Sequence, residues 1–211
     1  MESAMAKPGK TESPPNPRRL CLAFSNTVAW HAGPQPQETL HTYAELVRWA
    51  QNALVLSAPG ARRLLRLAAK HPREAEQVLK RAIALREAIY RILVASLRGQ
   101  SPAPADLGGL NQTIRKLTRG AQIAKTPKGY SWIWNGEENT LDSLLGPIAL
   151  SASELLTSAD LERLGQCADD RGCGWLFLDT SKNRSRRWCD VKDCGNRARQ
   201  RRFHARARKP G

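Results

Sequence analysis

The chain has 211 residues, with 34 lysine and arginine residues against 19 aspartate and glutamate residues, so its formal net charge is +15. Apolar residues make up 41% of the chain, which is enough for a buried core. No stretch approaches the roughly 18 consecutive apolar residues of a membrane-spanning helix, and residues 1–17 lack the apolar run of a secretory signal. These features exclude a membrane protein and a secreted disulfide scaffold, and they favour a cytoplasmic location.

The first half of the chain predicts a tail followed by helices. Residues 1–19 are rich in proline, lysine and serine, which predicts a disordered tail. The segment 20–30 alternates apolar residues and then turns polar, which fits either a short strand or the start of a helix. Thr42 and Glu45 have the spacing of a capping box. Apolar residues at spacings of three and four then predict helices over 42–54, 61–70 and 72–97.

Further along, the hydrophobic period changes. The pattern predicts a short helix over 111–118, a hairpin with strands over 122–125 and 130–134, and an apolar helix within 141–156. The predicted fold class is therefore α+β, with a mainly helical N-terminal domain that carries a small β-hairpin and a separate C-terminal module. We place the boundary near 157–165. Because the helix over 72–97 can build a core of its own, we expect the two domains to fold separately.

Positive charge is concentrated at the C-terminal end. Residues 181–211 contain twelve lysine and arginine residues and two aspartates. Such asymmetry indicates a polyanionic partner. A membrane surface is disfavoured because the basic segment lacks an apolar face, so nucleic acid is the favoured partner. Charge alone does not distinguish DNA from RNA.

Four of the five cysteines are also clustered. Cys167 and Cys173 form one closely spaced pair, and Cys189 and Cys194 form a second. In a reducing compartment this spacing favours a tetrahedral Zn²⁺ site over disulfides. Strands over 174–178 and 186–189 and a helix after Cys194 would give a treble-clef-like arrangement. A module this small would draw much of its folding free energy from the metal.

These motifs resemble a known family. The run from Cys173 to Cys189, followed by Cys194–Gly–Asn–Arg197 and a basic helix, is similar to the CGNR zinc finger. The segments LCLAFSNTV at 20–28 and LREA at 85–88 are similar to the ABATE domain that precedes this finger in bacterial regulators of transcription. The resemblance implies zinc held by Cys167, Cys173, Cys189 and Cys194. It also implies DNA binding by a finger at 163–211 and a sensor domain at 20–160.

The basic segment supplies the candidate nucleic-acid contacts, because guanidinium groups match phosphate geometry. Arg197, at the start of the predicted helix, could alternatively pair with Asp179 or Asp190 or support the metal site. The full set of candidates is Arg186, Arg187, Arg197, Arg199, Arg201, Arg202 and Arg206.

The function of the N-terminal domain is less defined by sequence. Asn26, Trp30 and Arg86 are polar or amphipathic groups beside apolar segments, and could line a ligand pocket or serve as core and capping residues. No nucleotide-binding, metalloprotease or nucleophile-elbow motif is present, so we predict no enzyme. We predict a zinc-dependent, DNA-binding regulator of transcription. The alternative is an RNA- or ribosome-associated protein that uses the same finger. An unidentified small-molecule effector and a homodimer are further hypotheses.

Overall fold

The structure is a computed structural model, and it describes residues 19–117, 121–127, 129–134 and 140–207. Within these ranges, the side chains of residues 117, 121, 131–134, 202 and 205–207 lie outside the description. The predicted disordered tail also lies outside the described residues, except for Arg19. In the part of the chain that is described, no helix has both the length and the apolar character needed to cross a membrane.

The described residues form seven α-helices and three two-stranded antiparallel sheets. The helices are α1 (Leu20–Ser25), α2 (Tyr43–Asn52), α3 (Ala58–Lys70), α4 (Pro72–Leu97), α5 (Pro104–Leu117), α6 (Leu145–Leu156) and α7 (Asn196–Ala207). The strands are β1 (Val28–Ala29), β2 (Gln37–Glu38), β3 (Ala121–Thr126), β4 (Gly129–Trp134), β5 (Leu164–Gln166) and β6 (Leu176–Leu178). They pair as β1–β2, β3–β4 and β5–β6. The predicted α+β fold class is confirmed.

Helix α4 is the centre of the core. It begins at Pro72 and ends at Leu97, as predicted from its apolar period. Its buried face packs against α1, α2, α3, α5 and α6. The predicted capping box of α2 is also confirmed, since the Glu45 amide donates to the Thr42 hydroxyl and the Glu45 carboxylate accepts from the Thr42 amide. Local sequence rules therefore set the main helices.

Two elements of the N-terminal domain, α1 and α5, are not fully predicted by their sequence. The segment that could have been a strand is α1, a six-residue helix whose residues are almost all buried between α4 and α6. An apolar helix of this kind has no polar face, so its sequence alternation does not reveal the helical period. Helix α5 begins at Pro104, earlier than predicted, because proline is well tolerated in a first turn.

The sequence predicted two β-hairpins, and the structure confirms one of them. The predicted hairpin of the N-terminal domain is confirmed as β3–β4, which turns between Thr126 and Gly129. The second predicted hairpin is wrong: between 179 and 190 the described chain contains no strand. Strand β6 pairs instead with β5, in a register that places Leu164 opposite Leu178. The first cysteine pair therefore lies between the two strands of this hairpin.

The hairpin β5–β6 is anchored in the main core. Leu164, Leu176 and Leu178 are buried in the same hydrophobic cluster as α1, α4 and α6. Separate folding of the two domains does not fit this packing, because the core loses three leucines when the C-terminal module is removed. The position of the domain boundary remains a prediction.

Candidate metal centre

Four cysteine side chains converge at the C-terminal module. Cys167 follows β5, Cys173 precedes β6, Cys189 lies in the irregular segment after β6, and Cys194 lies in a π-helical turn immediately before α7. All four Sγ atoms lie within 4.8 Å of one another. The Sγ of Cys189 lies 3.8 Å from that of Cys173 and 3.5 Å from that of Cys194.

This geometry fits a metal ion with four sulfur ligands. In a tetrahedral site with Zn–S bonds of about 2.3 Å, neighbouring sulfurs lie about 3.8 Å apart. The observed spacings match that value, and three of the four cysteines are buried. Tetrahedral sulfur sites take zinc or iron, and four protein ligands leave no open position for a water nucleophile. The arrangement therefore suits a structural ion.

The protonation equilibria of the thiols also favour a bound cation. Hydrogen bonds from Cys173 and then from Cys189 lower the pKa of Cys167. The same contacts raise the pKa values of Cys173 and Cys189, and burial raises the pKa of Cys194. Without a cation, four adjacent thiols cannot all ionise. A divalent ion resolves this conflict because it binds thiols as thiolates.

Arg197 contacts this cluster directly. Its Nη2 donates to the Sγ of Cys194 over 3.0 Å, and its Nη1 lies 2.7 Å from the carboxylate of Asp193. Its Nε lies 3.7 Å from the buried carboxylate of Asp169. These contacts correspond to one of the alternatives that the sequence left open for Arg197, namely support of the metal site. Arg197 pairs with neither Asp179 nor Asp190, the two partners suggested by its position in the chain.

A segment from the N-terminal half completes the surroundings of the cluster. The Asn26 amide group donates to the carbonyl of Leu176 and accepts from its amide, each over 2.9 Å. The backbone amide of His31 donates to the carbonyl of Cys173 over 3.1 Å. The ring of Trp30 packs against the cysteine cluster. The metal centre is therefore built from both ends of the chain.

Comparison with known families gives two matches that divide the chain at this point. Residues 18–159 match ABATE, described as a putative stress-induced transcription regulator, and residues 163–207 match the CGNR zinc finger. The chain belongs to the ABATE family. The resemblance predicted from the sequence is confirmed, and the metal of the cysteine cluster is zinc. A search of curated proteins gives no significant match. Neither family description names an enzymatic activity.

The predicted arginines of the CGNR finger whose side chains the structure describes fall into two groups. Arg197 and Arg201 point inward, and Arg201 donates to the buried carboxylate of Asp169 over 3.0 Å. Arg186 lies over the ring of Phe177 at 4.3 Å and donates to the carbonyl of Trp188 over 3.0 Å, so it also holds the local fold.

The second group faces solvent. Arg187 is exposed and stacks on the ring of Trp188 at 5.5 Å. Arg199 is exposed and donates to Asn196 over 2.8 Å. Arg202 and Arg206 belong to α7 by their backbone, but their side chains lie outside the described residues.

The three residues predicted as a ligand pocket are all engaged with protein groups. Asn26 holds β6, and Trp30 packs on the cysteine cluster. The guanidinium of Arg86 is only 2% exposed and binds the carboxylate of Glu38 through two hydrogen bonds of 2.8 and 2.6 Å. A pocket around these residues stays a prediction. The contacts of Asn26 and Trp30 join the ABATE domain to the finger, whereas those of Arg86 lie within the ABATE domain.

Sequence reasoning missed two contributors to the site. Asp169, in the turn between β5 and β6, is fully buried and faces Arg171, Arg197 and Arg201. A signal for it existed, since the first cysteine pair carries adjacent aspartates in an otherwise basic module. Trp30 was singled out only as a possible ligand-pocket residue, and no local signal pointed to its contact with the finger, which lies far from it in sequence.

Proposed function

We propose that the protein is a cytoplasmic, zinc-dependent, DNA-binding regulator of transcription. In this proposal, residues 20–160 form the ABATE sensor domain and residues 163–211 form the DNA-binding finger. The observation that carries it is the excess of solvent-facing cations around a rigid zinc centre, supported by the family description of a regulator of transcription. We propose that the finger is treble-clef-like, with one cysteine pair in a zinc knuckle and the last zinc ligand immediately before a helix. In this arrangement the basic helix α7 would face the DNA.

The exposed cations define which surface would face DNA. Lys182, Arg187, Lys192 and Arg199 are exposed on the finger, and we call them the open basic face. Within the described part of the chain, none of these four side chains forms an ion pair with an acidic group. Their charge is therefore available to phosphates, whereas the charges of Arg197 and Arg201 are already balanced by aspartates.

A shallow groove lies beside the open basic face. Its lining combines the hydroxyl groups of Thr180, Ser181 and Ser185 with the apolar surfaces of Trp188 and Val191. Hydroxyls and arginines are common phosphate and sugar contacts, and apolar groups contact base edges. The groove is lined by Asp179, Thr180, Ser181, Ser185, Arg186, Arg187, Trp188 and Val191.

The test is direct binding by the zinc-loaded full chain. A pool of random duplex DNA and a structured RNA of equal length are titrated at one fixed salt concentration. We expect tighter binding to the duplex, and loss of binding after zinc is removed with a chelator. Preference for the RNA would replace the proposal with its RNA-binding alternative. Genome-wide mapping of bound DNA then identifies the sites.

Two finer points belong to the same proposal. An effector of the sensor domain would be detected as a small molecule that changes the DNA affinity of the full chain without changing its zinc content. A homodimer would be detected by sedimentation of the zinc-loaded protein over a range of concentrations. A single monomeric species at every concentration would contradict the dimer.

A further inference from the structure

The segment from Asn26 to Gly33 lies between α1 and α2, and four of its residues contact the zinc finger: Asn26, Trp30, His31 and Ala32. We call it the clamp segment. We propose that the clamp segment is a structural part of the zinc centre, so that zinc retention by the finger depends on the ABATE domain. This inference rests on the zinc site and is independent of DNA binding.

The first contact fixes the strand that follows the knuckle. Asn26 pairs with both backbone groups of Leu176 over 2.9 Å, in the manner of a neighbouring strand. Leu176 is buried and lies three residues after Cys173. The position of a zinc ligand is therefore set by a side chain at the end of α1.

The second contact holds the knuckle itself. The amides of His31 and Ala32 donate to the carbonyls of Cys173 and Gly172, each over 3.1 Å. The backbones approach so closely that a Cβ on Gly172 would lie 2.3 Å from the Cα of Gly33. Gly172 has φ +90°, a conformation that only glycine adopts without strain. The knuckle is shaped to receive the clamp segment.

The third contact links the knuckle to the basic helix. The ring of Trp30 lies 4.9 Å from the guanidinium carbon of Arg171 and 5.3 Å from that of Arg197. Arg171 belongs to the knuckle, and Arg197 belongs to the first turn of α7 and donates to Cys194. A single ring from the ABATE domain thus packs against both halves of the zinc site.

The clamp segment is itself held by α4. His31 stacks on Tyr90 with a ring separation of 3.6 Å, and its Nε2 lies 2.8 Å from the carboxylate of Glu87. The hydroxyl of Tyr90 donates to the carbonyl of Gly174 over 3.2 Å. Continuous contacts therefore run from the central helix of the ABATE domain through the clamp segment to the zinc knuckle.

Groups around metal ligands commonly change metal affinity about 10- to 100-fold when they are removed. We therefore expect Trp30→Ala and Asn26→Ala to release zinc to a colorimetric chelator at least about tenfold faster than the wild-type full chain. Trp30→Phe, which keeps an aromatic face for the two arginines, should restore most of the retention. No DNA is present, so the result does not depend on the proposed function.

Two matched variants serve as controls. Trp175→Ala removes an exposed tryptophan within the finger, and Asn52→Ala removes an exposed asparagine at the end of α2. Both should release zinc at the wild-type rate. Unchanged release from Trp30→Ala and Asn26→Ala, equal acceleration in Trp175→Ala, or failure of Trp30→Phe to restore retention would overturn the proposal.

A measurement on the wild-type protein avoids any dependence on the folding of variants. Hydrogen exchange is compared before and after zinc is removed by a chelator. The amides of His31 and Ala32 should lose protection, because their acceptors are the carbonyls of the knuckle. Amides in α5, which has no such contact, should change far less. Unchanged protection at His31 and Ala32 would refute the coupling.

Discussion

Asp169 accepts a hydrogen bond from Arg201 over 3.0 Å, and the carboxylate that does so is completely buried. Burial alone would raise the pKa of Asp169, but hydrogen bonds from Arg171 and the charges of nearby arginines lower it overall. An arginine that balances a buried carboxylate contributes to the folded state of the finger, and we expect it to contact phosphates less than the arginines of the open basic face do. The pairing of Asp169 with Arg201 therefore separates arginines of the finger that pair with aspartates from those of the open basic face, which are available to contact DNA.

The first prediction concerns DNA binding by the open basic face. Arg187→Ala should weaken binding to duplexes of any sequence and reduce the slope of log K against log salt by about one, because one phosphate contact is lost. Arg201→Ala should leave that slope unchanged and lower the thermal stability of the finger. Titrations of both variants across a salt series provide the measurement.

The two variants remove the same side chain from the same module, so each is the control for the other. Equal reductions in slope would show that Arg201 leaves Asp169 to contact phosphate. A normal slope for Arg187→Ala would move the DNA contacts away from the open basic face.

The second prediction concerns the metal. Elemental analysis of protein purified without chelator should give one zinc per chain, and Cys189→Ala should lose it because three sulfurs hold the ion much more weakly. Cys21→Ala is the matched control, since Cys21 is equally a free cysteine but lies buried in the main core. Wild-type protein without stoichiometric zinc, or zinc loss in Cys21→Ala, would contradict the assignment.

A third prediction uses two glycines with positive φ. Gly172→Ala and Gly99→Ala both place a side chain on a strained backbone, at φ +90° and +63°. Each should lose about 1 kcal/mol of stability or more. Only at Gly172 does the new Cβ meet neighbouring backbone, so that variant should lose more stability and release zinc faster. Thermal unfolding and chelator assays compare the two. Equal losses would show that the contact with Gly33 relaxes without cost.

The fourth prediction concerns acid stability. Burial would raise the pKa of Glu38, but hydrogen bonds and charge from Arg86 lower it overall. A lowered pKa stabilises the folded protein above the unfolded value of about 4.3 and ceases to do so as the pH falls through the folded value. Glu38→Gln should therefore cost about 1–2 kcal/mol at pH 7. This difference from wild type should shrink as the pH falls below about 4.

Melting temperatures of the two proteins from pH 7 to pH 3.5 test this dependence. Glu76→Gln is the control, because Glu76 pairs with Lys80 on an exposed helix surface and such pairs contribute little. A difference between wild type and Glu38→Gln that stays constant down to pH 3.5 would rule out the ionised carboxylate as its source.

The fifth prediction tests the shared core. Leu176→Ala should destabilise the whole protein by about 2–5 kcal/mol, because this leucine of the finger is only 1% exposed within the main hydrophobic cluster. Thermal unfolding followed by the helical signal should show a single transition at lower temperature. Loss of the finger alone, with the helices of the ABATE domain melting at the wild-type temperature, would restore independent folding of the two domains.

Features governed by short-range rules could be predicted from the sequence. The capping box at Thr42 and the full extent of α4 follow from side chains within a few residues of one another. The convergence of the cysteines follows from their paired spacing. The predicted return strand at 186–189 was wrong because strand β6 had an equally short partner in β5, and three-residue strands carry almost no periodic signal.

Features that depend on distant segments could not be predicted. The sequence left several roles open for Arg197, and did not indicate its contacts with Asp169 and Trp30, which are distant in the chain. The side chain of Asn26 pairs with the backbone of β6 as a neighbouring strand would. The residues around Asn26 give no indication of where β6 lies. Contacts between side chains that are distant in sequence depend on how the whole core packs. They therefore produce no regular spacing of residues that could be recognised in the sequence.

The pairing of Asn26 with Leu176 joins residues 150 positions apart. On the ribosome, the clamp segment is synthesised well before the residues of the finger that accept hydrogen bonds from its amides. Until Leu176 has been synthesised, the side chain of Asn26 lacks this partner, and α1 lacks the part of its cover that β6 supplies. Apolar surface that lacks its cover exposes a nascent chain to aggregation and chaperones. We therefore expect the clamp segment to reach its final contacts only after the finger has been synthesised and has bound zinc.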